Sequence, residues 1–350
     1  MVSRFGSASA VFKASRSELA EVEGIDEAMA RAVLGKTDER FAEQEAERAV
    51  RHGVRLMTLW DGDYPELLRA IHDAPVLLYV KGPLDWNRFN GIAVVGTRFP
   101  TSTGREVAER LSEQLSAAGL TVVSGLARGV DTAAHRGALR GMGSTVAVTG
   151  SGVDVVYPPE NRRLYLDILE RGAVASEFFM GAPPEASHFP KRNRIISGLC
   201  RAVLVVEAGE KSGALLTADL ALEQNRDVFA VPGSVASPKS AGTNRLIQSG
   251  AKLVASVEDV FSEYPEIRQS RGPSRRPAAA VPPAVASAET GLLSPAEKTL
   301  WDGLSSEPEH IDRIASENRL AVSEALAMLL SMEMKSCVKQ LTGMRFARVE

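Results

Sequence analysis

Between residues 91 and 231 the chain repeats short β-branched, apolar segments: Gly91 to Gly96, Thr121 to Ser124, Ser144 to Thr149, Ala173 to Ser176, Ala202 to Val206 and Val228 to Val231. Several are apolar almost throughout, without polar alternation, as a strand covered by helices on both faces requires. The spacers carry apolar residues at helical spacing, for example Val107, Leu111 and Leu115 between Gly104 and Ala118. Strand, helix and strand in repetition predict βαβ units and a doubly wound, mostly parallel α/β sheet over residues 61–265.

The flanks read differently. Residues 1–60 predict short helices at Ser17 to Val22 and Glu27 to Leu34, then a charged helix from Asp38 to His52. Between the first two lies Val22-Glu23-Gly24-Ile25-Asp26, a turn of the kind that offers backbone N–H groups to phosphate in helix-hairpin-helix modules. Asp26 stands where that hairpin has its second glycine, and a carboxylate opposes phosphate, so a plain helix turn fits equally. Residues 266–290, rich in Pro, Ala and Ser, predict a linker with too few large apolar residues to pack. Beyond it, Ser294-Pro295-Ala296-Glu297 has the capping-box pattern of a helix start. Helices at His310 to Asn318 and Val322 to Met332 and a β-like tail from Ser336 to Val349 complete the order of a winged helix over residues 291–350.

Of the 350 residues, 44% are hydrophobic and 24% charged, an ordinary globular balance, and the net charge of -3 offers polyanions no global attraction. A polyanion site must therefore be a local basic patch. Two cysteines, Cys200 and Cys337, stand far apart without metal-ligand spacing, and no apolar run reaches membrane-spanning length. A cytoplasmic protein without membrane contact is expected.

Ligands of an open α/β sheet sit outside the carboxyl ends of its strands. Here those ends are Gly96-Thr97-Arg98 and its loop, Ser124-Gly125-Leu126-Ala127-Arg128-Gly129, Thr149 to Gly152, and Ala208 to Gly213 with Lys211 and Ser212. None has the spacing of a dinucleotide fingerprint or a Walker loop, so no nucleotide cofactor and no metal is expected. The strongest signal is Phe189-Pro190-Lys191-Arg192-Asn193-Arg194, read with the strand-end loops, where an aromatic ring to stack on a base adjoins cations for phosphates. Lys191 and Arg192 both qualify as the phosphate contact and are not ranked. Asp131 and His135 share a helix face, with Asp131 as a cap that holds His135. Glu207 is a carboxylate for acid-base work or for orienting Arg194 or Lys211.

These segments together resemble the bacterial DNA processing protein A (DprA/Smf) family. The likeness rests on Gly96-Thr97-Arg98, Ser124 to Asp131 with His135, Gly150 to Asn161, Phe189 to Gly198, Ser212 to Thr217 and Val228 to Gly233, with Tyr64 to Leu68 and Leu77 to Gly82 leading in. The resemblance implies a Rossmann-like domain between a SAM-like helical domain and a winged helix. It implies a non-catalytic protein that binds and protects single-stranded DNA during natural transformation, loads RecA recombinase onto it, and forms a homodimer through the Rossmann-like domain. By motif, the implied DNA pocket comprises Gly96, Thr97, Arg98, Ser124, Gly125, Arg128, Phe189, Lys191, Arg192, Asn193, Arg194, Lys211 and Ser212.

Two departures qualify it. Asp26 breaks the N-terminal hairpin pattern, and Ala321 to Leu330, the candidate recognition helix of the winged helix, has no Lys or Arg to read DNA. That unit is read as a protein-contact or structural module. The alternative is an enzyme on a related fold, a nucleotide phosphoribohydrolase similar to lysine decarboxylase-like proteins. Its PGGxGTxxE signature is not supplied by Ser212 to Glu223 or by Pro232-Gly233-Ser234.

Overall fold

The computed structural model describes residues 1–35, 39–141, 143–265, 294–305, 309–318, 320–335, 337–341 and 344–348. The linker expected at 266–290 lies outside them. The chain divides into two compact units, 1–270 and 271–350.

The first unit is built on a nine-stranded sheet of order β1-β2-β6-β5-β4-β3-β7-β8-β9. Its strands are β1 (Arg55–Thr58), β2 (Leu77–Lys81), β3 (Gly91–Val95), β4 (Thr121–Ser124), β5 (Thr145–Val148), β6 (Ala173–Ser176), β7 (Cys200–Val205), β8 (Asp227–Ala230) and β9 (Lys252–Leu253). From β6 to β9 every pairing is parallel, while β1 and β2 add an antiparallel edge. All six strands read from the apolar pattern are present, within two residues of their expected ends. The doubly wound Rossmann-like fold is therefore as expected.

Burial explains the unbroken apolar runs. In β3, Ile92 and Val94 join one core with Leu111, Leu115 and Ala134. Ala93 and Val95 join the opposite core with Ile195, Ile196 and Ala218. Each strand residue thus meets a helix layer whichever way it points, and each large aliphatic contributes about 1.5–3 kcal/mol of burial free energy.

The expected boundary at residue 60 falls elsewhere. The helix Glu39–Arg51 packs on the sheet domain through Ala49, and β1 at Arg55–Thr58 extends the sheet itself. Arg48 donates to the Met180 carbonyl at 2.9 Å and to Asp154 at 3.1 Å, and Glu45 accepts from the Met180 N–H at 2.5 Å. The small helical part before it has its own core of Val11, Leu19 and Ala30. There Asp26 accepts from the Met29 N–H at 2.7 Å, so the carboxylate in place of the hairpin glycine caps the following helix.

The second unit contains the helices Pro295–Asp302, Ile311–Glu317 and Val322–Met334 and a sheet of order β10-β12-β11, from Glu309–His310, Arg345–Arg348 and Val338–Leu341. Its core includes Leu300, Ile311, Leu329, Val338 and Phe346. The capping box forms: Ser294 Oγ accepts from the Glu297 N–H, and the Glu297 carboxylate accepts from the Ser294 N–H at 2.7 Å. Glu297 also accepts from Ser331 at 2.7 Å and Lys335 at 2.8 Å. The side-chain hydrogen bond from Lys335, then the Ser294 backbone, hold its carboxyl at about 2, down from 4.5. A carboxylate depressed by folding stabilises above its unfolded value and loses that contribution as pH falls through the folded one. The thermal stability of the winged-helix unit is therefore expected to fall as pH drops from about 4.5 to 2, and Lys335→Met to flatten that dependence, both read by thermal denaturation at a series of pH values. Among the described residues no helix is long and apolar enough to cross a membrane.

Candidate nucleic-acid interface

Strands β4 to β6 are added on one side of β3 and β7 to β9 on the other, so the order of strand addition reverses between β3 and β7 while the strands stay parallel. A crevice opens outside the carboxyl ends at such a point. Here it is a cleft of about 920 Å3, walled by Gly96 to Phe99 after β3, Gly209 to Thr217 after β7, and one face of the helix His188–Leu199.

The β3 loop is pinned from below. The Thr97 N–H donates to the Glu207 carbonyl at 2.7 Å. Buried Glu207 accepts from the Thr101 N–H at 3.0 Å and hydroxyl at 2.5 Å, while Thr101 Oγ1 caps the helix Ser102–Ala117 by accepting from the Gly104 N–H at 2.9 Å. Glu207 is thus committed to the loop and orients neither Arg194 nor Lys211. The neighbouring turn requires a glycine: at Gly129, φ +81, a Cβ would lie 2.4 Å from the Thr97 carbonyl oxygen. This anchored loop presents Arg98 and Phe99 to solvent, with Arg98 5.3 Å from the Phe189 ring centroid.

The basic segment is helical, which corrects its reading as a strand-end loop. His188–Leu199 tolerates Pro190 in its first turn, where the missing N–H has no helical partner to lose. Helical phase then sorts the cations. Phe189, Arg192, Asn193 and Ile196, at offsets of three, four and seven, line the cleft. Lys191 is exposed and lies outside the described lining, so geometry ranks Arg192 over it. Arg194 faces away: its guanidinium contacts Glu177 at 2.6 Å and Asp73 at 3.0 Å.

Arg192 is the buried floor of the cleft, 4% exposed. One guanidinium nitrogen donates to the Val148 carbonyl at 2.5 Å, and Nε has no partner. Burial pulls the guanidinium down to about 10, against the attraction of Asp131 and with the repulsion of Arg98, so it remains charged at neutral pH. Gly125 makes room for it, since a Cβ there would fall 2.0 Å from a guanidinium nitrogen.

Besides Lys191 and Arg194, three more pocket residues expected from sequence, Ser124, Gly125 and Arg128, are not among the described lining of the cleft. Ser124 is fully buried and donates to the Val94 carbonyl at 2.7 Å. Arg128 turns outward to Glu160 at 2.5 Å. Lys211 is exposed on the cleft wall, and Ser212 caps the helix Gly213–Glu223.

The Asp131 and His135 pair also differs from expectation. Asp131 accepts from the Gly125 and Ala127 N–H groups at 3.1 and 3.3 Å, which shapes the β4 loop and leaves the helix uncapped by a side chain. His135 bonds Thr145 instead, at 2.7 Å. The Thr145 hydroxyl spends its proton on the Val122 carbonyl, so His135 Nδ1 is the donor. Burial and then Arg192 lower its pKa to about 3, which keeps it neutral.

The structure adds cleft residues that the sequence reading missed. Lys239 donates to the Phe99 carbonyl at 2.7 Å, and Tyr157 lies 5.8 Å from the Phe189 ring. Lys239 follows the carboxyl end of β8, so the strand-end rule applied to that strand would have found it. Among the described lining residues the charges are Arg98, Arg192, Lys211 and Lys239 against Asp131 alone. Such a wall suits phosphate oxygens, and the rings beside it suit bases.

Residues 55–265 match the family model for DNA recombination-mediator protein A. The chain belongs to this family. Residues 277–344 match the DprA winged helix domain. Protein Smf of Synechocystis sp. is 36% identical over 361 aligned positions, covering 96% of this chain and 91% of that protein. DNA processing protein DprA of Streptococcus pneumoniae is 49% identical over 207, covering 59% of this chain and 73% of its own. An X-ray structure of the Streptococcus pneumoniae DprA aligns with a TM-score of 0.64 at 40% identity, over 71% of this chain and 87% of that one. DNA processing protein A of Helicobacter pylori, described as having a single-stranded DNA binding mode, aligns with a TM-score of 0.54 at 28% identity, over 61% and 96%. The DNA recombination-mediator match spans β1 through the helix Val257–Glu263, which includes every wall of the cleft.

Proposed function

We propose that the cleft between β3 and β7 binds single-stranded DNA, and that this chain shelters such strands in the cytoplasm during natural transformation and passes them to the RecA recombinase. The observation that carries the reading is the convergence of Arg98, Arg192, Lys211 and Lys239 on one cleft that also contains Phe189 and Tyr157. A duplex hides the faces of its bases, whereas a single strand offers base faces and phosphates together. The handover to RecA and a homodimer formed through the Rossmann-like domain are supported by the family relation.

The same geometry favours a binder over a phosphoribohydrolase. Glu207 is tied to Thr101, and Glu223 is exposed at the far end of the helix Gly213–Glu223, off the cleft wall. Incubation with nucleoside monophosphates is expected to release no free base. Turnover abolished by Glu207→Gln or Glu223→Gln would instead support the enzyme.

A gel-shift competition tests the binding reading: labelled single-stranded oligonucleotide is expected to resist excess duplex and to be displaced by unlabelled single strand. Equal displacement by duplex would reject a single-strand site. Deleting residues from 291 onward is expected to change single-strand affinity less than about twofold, because the helix Val322–Met334 offers no cation to phosphates. Loss of binding on that deletion would move the site to the winged helix.

A further inference from the structure

The Phe189 ring already has two neighbours, with the Arg98 guanidinium 5.3 Å away and the Tyr157 ring 5.8 Å away. A base stacking there must displace one of them. Among the described residues, Phe99, next to Arg98 in the chain, has no such ring or guanidinium neighbour. Phe99 is 72% exposed on the cleft rim, the only phenylalanine among the described residues above half exposure.

Its backbone is held on both sides. The Phe99 N–H donates to Thr97 Oγ1 at 3.2 Å, and its carbonyl accepts from Lys239 at 2.7 Å. A lone exposed phenylalanine needs no explanation, but one whose backbone is held by two hydrogen bonds beside Arg98 does. Leu216, 40% exposed, adds another exposed apolar side chain to the same cleft. An aromatic face flanked by cations matches the alternation of base and phosphate along an unpaired strand.

Building on the single-strand reading above, we propose that Phe99 is a base-stacking platform of the cleft. Phe189, beside the Arg98 guanidinium, then supports Arg98 as well as lining the cleft. A base and a phosphate of neighbouring nucleotides engage Phe99 and Arg98 together.

The test uses the full chain and fluorescently labelled oligo(dT), with affinity measured by anisotropy over a salt series. Phe99→Ala is expected to weaken binding about tenfold or more while leaving the salt slope unchanged, since stacking releases no counterions. Phe99→Tyr is expected to bind like the unaltered chain, and Phe99→Leu to remain weak. On an oligonucleotide of abasic sites, Phe99→Ala and the unaltered chain are expected to bind alike. Affinity within twofold of the unaltered chain for Phe99→Ala, full affinity for Phe99→Leu, or a loss of self-association with DNA binding intact would each overturn the proposal. If the unaltered chain itself shows no salt-dependent binding of oligo(dT), the single-strand reading fails, whereas a failure confined to Phe99 leaves it standing.

Discussion

Replacing Arg98 by alanine is expected to cost about 2 kcal/mol of single-strand binding, roughly thirtyfold in affinity, the scale of a charge-assisted hydrogen bond. The slope of log affinity against log salt should fall by about 0.7 for each phosphate deprived of its cation. The expectation follows from position: Arg98 is exposed at the cleft wall, held over Phe189, and engaged by no carboxylate among the described residues. Two other arginines of the expected pocket supply the contrast. Arg128 is paired with Glu160 outside the cleft, and its removal should leave both affinity and salt slope nearly unchanged. Arg194 is clamped by Glu177 and Asp73, so Arg194→Ala should lower thermal stability before it alters binding. Equal losses for all three would indicate diffuse surface charge in place of a site, and anisotropy titrations on the three variants decide it.

A second large effect is expected at Gly125. An added Cβ would fall 2.0 Å from the Arg192 guanidinium, which is itself buried and tied to the Val148 carbonyl. Gly125→Ala must therefore expel or tilt a buried cation, at a cost of about 3 kcal/mol. For a domain of this size that corresponds to a fall in Tm of roughly 6–12 °C. Single-strand binding should be lost with it. Combining Gly125→Ala with Arg192→Leu should recover part of the stability, because the flexible apolar side chain yields to the new methyl group, but not the binding. Such coupling separates steric conflict from a general intolerance of alanine in the β4 loop. Calorimetry and titration of the two single variants and the double variant measure both quantities.

The sheet was legible because its strands are buried on both faces. Ile92 and Ala93 sink into different cores, so neither can be polar, and the resulting run distinguishes a parallel strand from a half-exposed one. The strand-end rule also found the loops carrying Arg98 and Lys211. The phase of the basic segment was not legible. Six residues containing a proline show no apolar period, and only the helix His188–Leu199 decides that Arg192 points into the cleft while Arg194 points out. Partners distant along the chain were equally hidden, such as Glu160 for Arg128 and Asp73 for Arg194. The helix Glu39–Arg51 and β1 look like part of a separate helical domain because a helix whose charged side chains meet partners distant along the chain, as Arg48 meets Asp154, looks like a solvated one in sequence.

The place of Glu207, which the sequence offers for acid-base work or for orienting Arg194 or Lys211, was hidden for a related reason. A glutamate at a strand end suggests chemistry, but whether it faces ligand or backbone depends on the loop above it, and here Thr101 fills that place. The same loop, once anchored, is what lifts Arg98 and Phe99 into the cleft. Structural and binding residues alternate within a few positions, and that alternation appears only in three dimensions.

The path of the strand itself is the most direct test. Photocrosslinking of a short oligo(dT) to the full chain, followed by mass-spectrometric mapping, is predicted to place the crosslinks on the segments containing Phe99, Tyr157 and Phe189. Crosslinks confined to the winged-helix unit, or to the separate cavity lined by Asp63, Arg201 and Arg226, would contradict a binding cleft between β3 and β7.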